Sequence, residues 1–571
     1  MQTKPIVLRW TAAVAAAAIA YLVLRHAFAT WSGIERPLDT DESEFLHAAW
    51  LMRQGLRLYR DFAEDHAPFL FAILKWMVPA HGTAAFPRLD LVAYVTRARI
   101  LASTFGILGL GAAALLAYRA VGNLIAPLIT IAVVLASPWI WMRGMVQVRN
   151  DPPALFFFWL GALLLLGGWR SERARFLCAG IGIGLVAIAA LWNPKWPLES
   201  LVLGIVYLVI ARDAFRRKML TLVLLPPIAC VAAMLLWIRA YSSFGDYFFF
   251  TFTFNRLLND WTAANPYLTK LTDAAFQHGR AYMFCPPAFK GIWPIAAVMV
   301  TIALLVLRRP VSGRGTICHP EPPEPRRREA QTGEGRSKDP QPVNPLFTQQ
   351  ASGGPSTVLR RLRMTEVNTH VALLALAAAA TLEIRFLYAY PNVWTQYYVM
   401  WSFIAACLYG TAAAALIRLL PRESMRFAAT IVIALLSIVA VEQAMPLRTG
   451  VTGWPMLSYI QRNLRDGETV WVARHPVGAP DATYYWYAAA ELVPFAIDYA
   501  AAHPGRTLLP PMTERDLPIC RAERGLQPDL RFVSGGYFLA NLPQSRACLD
   551  RMIAAGRAVR TPAPDVWDLH P

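Results

Sequence analysis

Acidic side chains are scarce in this chain of 571 residues: 37 Asp and Glu stand against 55 Lys and Arg, and charged residues together make up 16% of it. So little charge beside 56% apolar residues excludes a chain that is disordered as a whole. Cysteine is sparse too. Five of the seven stand singly at 178, 230, 285, 318 and 407, and none has CxxC spacing, which excludes a zinc ribbon or a disulfide-built scaffold. The Walker A loop, the GxGxxG turn and HExxH are missing, and with them the commonest soluble nucleotide and zinc chemistries. No internal repeat is visible, and the long apolar runs are almost free of charge, with Glu199, Glu383 and Arg385 near their ends. Transporters usually show both repeats and charges at the membrane midplane.

What the chain has in excess is apolar runs. Windows of roughly 17–25 residues place spans near 10–29, 98–118, 124–141, 153–169, 176–192, 197–211, 219–239, 292–307, 369–389, 396–417 and 427–446, eleven in all. The formal charge of +18 would suggest nucleic acid in a soluble chain. Here the cations sit in short links between apolar runs, as the positive-inside rule requires, so no nucleic acid is expected as partner. Lys4 and Arg9 place the N-terminus in the cytoplasm. The count brings Arg170/Arg173/Arg175, Arg212/Arg216/Arg217/Lys218, the cluster 308–363 and Arg418/Arg422/Arg426 to the same side. Ala27-Phe28-Ala29 has the spacing of a signal-peptidase site, but Arg25 and His26 interrupt its approach, so the first span is expected to stay as an anchor.

The expected fold class is therefore an all-α polytopic membrane protein of about eleven transmembrane helices, residues 1–446, with a small C-terminal α/β extracytoplasmic domain, 447–571. Within the first part lie an external loop 30–97, an aromatic-rich external loop 240–291 and a cytoplasmic insert 308–368. The insert is dense in Pro, Arg, Glu and Gly and is expected to be disordered. Aromatics such as Tyr247 and Phe248–Phe250 could line a prenyl groove; interfacial anchoring is the favoured reading. After Arg448, short β-like runs at Glu468–Arg474 and Leu530–Ser534 alternate with helical stretches such as Ala547–Gly556. Only Cys520 and Cys548 share this domain, and a disulfide between them is expected in an oxidising compartment. A multi-pass bacterial cell (inner) membrane, with the C-terminal domain periplasmic, is the expected location.

Residues 38–50, LDTDESEFLHAAW, put Asp39, Asp41, Glu42 and Glu44 beside a segment built for lipid. One reading is a helix start, with Asp41 as N-cap and Glu44 closing a capping box. The helix that follows would carry Phe45, Ala48, Ala49, Met52, Leu56 and Tyr59 on one face and lie along the membrane surface.

The other reading comes from resemblance. Asp41-Glu42, the helix to Gln54-Gly55, Tyr59-Arg60-Asp61 and Ala67-Pro68 resemble the first external loop of GT-C membrane glycosyltransferases of the protein O-mannosyltransferase and lipid A aminoarabinose transferase kind (glycosyltransferase family 39-like). The detailed resemblance covers the first 200 residues, and the later spans only by pattern. It implies a hexosyl- or pentosyltransferase that takes sugar from a polyprenyl-phosphate donor, with inversion, at the outer face. The acceptor would be a lipid, glycan or protein, and no cofactor or metal is implied. Such a donor leaves without an acid, so the site needs one carboxylate for the acceptor proton and cations for the departing phosphate, unlike the carboxyl pair of glycoside hydrolysis.

By position Asp41 matches the family's base, Glu42 supports it, and Asp151 in Val148-Arg-Asn-Asp-Pro-Pro153 resembles the second external acid. Lys195 is the phosphate partner by position. Relatives often have Lys before the Pro of the first loop; His66-Ala67-Pro68 stands here instead, so His66 or Arg149 is expected to share that contact. Each residue has a plainer alternative: a cap for Asp41, a snorkelling side chain for Lys195, an ion pair for Arg149 with Asp151, an ordinary surface residue for His66. The competing classes are a lipid or sugar transporter or flippase, and a non-enzymatic assembly protein using the external domain.

Overall fold

The computed structural model describes residues 4–33, 40–62, 64, 66–78, 91–169, 171–194, 196–257, 260, 375–382, 398–444, 459–460, 462–465, 467–472, 514–534, 543–563 and 566–570. It is a helical membrane protein with a small C-terminal sheet. The helices of the first part are α1 (Lys4–Gly33), α2 (Thr40–Arg53), α3 (Phe69–Leu74), α4 (Leu91–Val121), α5 (Ile125–Leu135), α6 (Pro138–Trp141), α7 (Asp151–Leu166), α8 (Glu172–Trp192), α9 (Pro197–Arg216), α10 (Leu220–Tyr241) and α11 (Phe244–Phe248). Two π-helical turns, Met142–Val146 and Phe249–Phe254, follow α6 and α11. A helical piece at 375–382 precedes α12 (Tyr398–Leu419) and α13 (Glu423–Ala444).

Among the described residues six helices are long and apolar enough to cross a membrane: Arg9–Trp31, Ala93–Val121, Glu172–Trp192, Leu220–Tyr241, Val399–Leu419 and Glu423–Ala444. The expected eleven are not met among the described residues, for a reason of length and charge. At 1.5 Å per residue, the 11 residues of α5 and the 16 of α7 reach only about 17 and 24 Å, short of a hydrocarbon core of about 30 Å. The 20 residues of α9 include Glu199, Arg212, Asp213 and Arg216. Span 292–307 and the insert 308–368 lie outside the described residues, and of 369–389 only 375–382 is described.

Contacts between helix ends sort them into two groups. Arg119 on α4 donates to the carbonyl of Gly167 after α7, Arg175 on α8 pairs with Asp213 on α9, and Arg426 on α13 donates to the carbonyl of Arg418 on α12. At the opposite end Arg25 of α1 meets Glu442 of α13 at 2.8 Å, and Trp141 donates to His26 Nδ1 at 2.7 Å. Between the ends, small residues let backbones touch: a Cβ at Gly161 of α7 would fall 2.6 Å from the carbonyl oxygen of Gly182 on α8.

The first loop differs from its expected form. α2 begins at Thr40, so Asp41 sits in the first turn rather than at the cap. Gly55, at φ 95°, ends it; the amides of Gly55 and Leu56 turn back to the carbonyls of Met52 and Leu51. Every side chain from Phe45 to Met52 is buried, His47 included, so α2 is enclosed by protein and does not lie on the membrane surface. A Leu-, Trp- and Ala-rich sequence with apolar side chains all round can be covered on every side. The strap 54–68 and α3 fold back over it, and Tyr94 on α4 donates to the Leu46 carbonyl at 3.2 Å.

The C-terminal sheet has the order β1-β2-β4-β3, with β1 (Thr469–Val472) parallel to β2 (Leu530–Ser534), while β3 (Ala558–Arg560) and β4 (Val566–Leu569) join antiparallel. Helices α14 (Pro518–Glu523) and α15 (Pro543–Ala554) are linked by a Cys520–Cys548 disulfide and by Arg551 on Glu523. Among the described residues Cys178, Cys230 and Cys407 are free.

Candidate active site: a buried polar cluster at one end of the bundle

The four sequence segments singled out for chemistry meet at the end of the bundle that carries Arg25 and Glu442. Glu42, in the first turn of α2, is completely buried. Its Oε1 accepts from Arg99 Nε at 3.0 Å and from the Val148 amide at 3.1 Å, while Oε2 accepts from Arg99 Nη2 at 2.7 Å. This fork from α4 is the bidentate geometry that suits guanidinium and carboxylate.

One residue beyond Val148, buried Arg149 donates through Nε to Asp151 Oδ2 at 3.1 Å. Asp151 opens α7, where Pro152 and Pro153 follow it without loss of a ladder bond, and its carboxylate complements the positive helix end. Its Oδ1 accepts from Asn193 Nδ2 at 3.0 Å, and the neighbouring Asn150 Oδ1 accepts from Trp192 Nε1 at 3.1 Å. The segment 147–151 therefore carries Glu42 on one residue and Asp151 with the end of α8 on the next few. A π-helical turn at 142–146 delivers it, and such turns are frequent at functional sites.

His66 arrives from the strap. Its Nδ1 lies 2.7 Å from Oε1 of buried Glu64, which also accepts the His66 amide at 3.1 Å. The half-buried ring packs on Phe45 of α2 with centroids 4.8 Å apart, and Tyr59 donates its hydroxyl to the His66 carbonyl. Tyr59 itself sits at φ 65°, a left-handed conformation that costs a non-glycine residue on the order of 1–3 kcal/mol. Outside the spans, burial pushes the Tyr247 phenol above its usual range, and its hydroxyl donates to the Leu191 carbonyl at 2.8 Å.

Glu42, Arg149, Asp151 and His66 are thus brought to one end of the fold. Asp41 is carried there by the first turn of α2, one residue before Glu42; its side chain lies outside the description, as does the whole of Lys195, two residues after Asn193. Arg149 and Asp151 form the ion pair that their spacing allowed. Glu42 is committed through both oxygens to Arg99 and Val148, an arrangement that positions backbone. Arg99 and Glu64 were not singled out in the sequence. For Arg99 the available signal was a cation at the start of an apolar run, where a charge carried into the span needs a buried acid as partner.

Compared with protein-family models and with curated proteins, the chain matches none of either.

Proposed function

We propose that this protein is a GT-C-like membrane glycosyltransferase that moves a sugar from a polyprenyl-phosphate donor to an acceptor hydroxyl at the outer face of a bacterial cell membrane. The acceptor oxygen attacks the anomeric carbon, the carbon–oxygen bond to phosphate breaks with its electron pair leaving on the phosphate, and the acceptor proton passes to Asp41. Inversion follows from attack opposite the leaving group. Glu42 holds the α2 start in place, Asp151 orders the 147–151 segment, Arg149 and Lys195 are the cations for the phosphate, and His66 is a further hydrogen-bond partner for it.

One observation carries this reading: Glu42, through Arg99 and the Val148 amide, ties the turn that bears Asp41 to the segment that bears Arg149 and Asp151. A base must be held still relative to the groups that take the leaving charge, and a buried bidentate pair does this.

Asp41→Asn is the test. In the first turn of a helix the exchange removes a favourable charge worth about 0.3–1 kcal/mol, whereas loss of a general base costs on the order of 10²–10⁴-fold in rate. The variant is expected to insert normally, still bind the donor and barely transfer sugar in proteoliposomes with a defined prenyl-phosphate sugar and acceptor. Wild-type turnover by the Asn variant would remove Asp41 as the base. Lipid translocation without any sugar release by the wild type would favour the flippase class.

A further inference from the structure

The helical stretch 244–257 stands outside both the spans and the polar cluster. Ser243 caps it, its Oγ accepting from the Asp246 amide at 3.0 Å, and no charged residue occurs from Tyr247 to Asn255. It has two faces. Phe244, Phe248 and Phe252 are 42, 49 and 41% exposed, while Tyr247, Phe250, Thr251 and Phe254 are buried.

The stripe depends on the change of helix type. Four residues overshoot an α turn of 3.6 residues and undershoot the wider π turn that begins at Phe249. The two drifts cancel and return Phe252 to the line of Phe244. Phe248 and Phe252 stack with centroids 5.7 Å apart.

Three exposed phenylalanines in a row are costly in water, and their surroundings say what covers them. α10 ends at Tyr241, three residues earlier, and its Leu225, Ile228 and Leu236 are exposed, as on a span face turned to lipid. Trp76 is exposed beside that helix end, since Lys75 Nζ lies 6.0 Å from both the Trp76 and the Tyr241 rings. Trp31, at the same end of α1, is exposed as well. Aromatic side chains in this position are the mark of a bilayer boundary.

We infer that 244–257 lies in the bilayer–water interface with Phe244, Phe248 and Phe252 among phospholipid acyl chains, and that its opposite face seats the strap carrying Glu64 and His66. On that face Phe250 stacks on Tyr59 at 5.1 Å with the rings 8° from parallel, and Tyr59 in turn holds the His66 carbonyl. Lipid on one side thereby fixes a functional segment on the other, whatever reaction the cluster performs.

The test places the photoreactive residue p-benzoylphenylalanine at Phe248 or Phe252 of the full chain, in phosphatidylcholine nanodiscs and in native membranes. Phospholipid adducts are expected at both positions. Absence of lipid adducts at both, or adducts to another protein in native membranes, overturns the lipid contact. For the coupling, Phe248→Glu with Phe252→Glu is expected to speed hydrogen exchange of peptides covering 54–68 severalfold; unchanged exchange there overturns it. If the double Glu variant does not fold, Phe248→Ser with Phe252→Ser gives the same reading.

Discussion

At the scale of single residues, the Glu42–Arg99 pair does the most to hold the site, because both groups are removed from water and each satisfies the other. Removing one partner of a buried pair leaves an uncompensated charge and costs about 3–5 kcal/mol, whereas replacing both with residues of similar volume is often neutral. Glu42→Gln and Arg99→Met should each melt well below the wild type in detergent, and the double variant should recover most of the loss. A double variant that melts as low as the two single losses added together would show that the pair is not coupled. The pair was half visible in the sequence. Asp41-Glu42 stood out by its setting, but Arg99, 57 residues away, looked like an ordinary charge at the edge of a span. Arg149 and Asp151, two apart, could be read directly as a pair.

At the scale of elements, periodicity located helices well and misjudged what covers them. α2 was legible as a helix, and β1 and β2 were legible from β-branched and aromatic runs, whereas β3 and β4 were not. Burial of α2 was not legible, since enclosure is decided by the strap and by α4, which pack on it from far along the chain. The linked helices α14 and α15 offer a pH test. Glu523 is held below the ordinary carboxylate range, first by the hydrogen bonds from Arg551, then by the charges of Arg551, Arg524 and Arg557, with partial burial opposing. A carboxylate depressed in the folded state contributes stability that is present above its unfolded pKa, about 4.3, and lost as pH falls through the folded value. Glu523→Gln should therefore make the C-terminal domain of the intact protein somewhat easier to proteolyse at pH 7. The difference from wild type should close on acidification below that value. A gap that stayed constant down to the acid limit of folding would detach the effect from Glu523 ionisation.

At the scale of the whole molecule, the ends of the helices form two groups of different character. Arg119, Arg175, Arg216, Arg217, Lys218, Arg418, Arg422 and Arg426 collect at one, with Glu172 and Asp213 paired among them, and the buried pairs Glu42–Arg99 and Arg149–Asp151 with Glu64 lie at the other. The span count read from hydropathy failed where helices are short, yet the sorting of ends does not rest on that count. It rests on contacts such as Arg25 with Glu442, which sets the C-terminal ends of α1 and α13 side by side. A chain that leaves α1 and a chain that leaves α13 must therefore emerge on the same face. By the positive-inside rule the basic end is expected in the cytoplasm. Reporter fusions after residues 60, 270 and 500 are expected to report outside, and fusions after 215 and 340 inside. The sharpest comparison is 60 against 500, because the Arg25–Glu442 contact ties those two results together whichever face is outer. Opposite reports from 60 and 500 would break the pairing of α1 with α13, while equal reports from 60 and 215 would mean that α5, α7 and α9, short or charged as they are, stop within the bundle and leave α4 and α8 as the crossings between those two points.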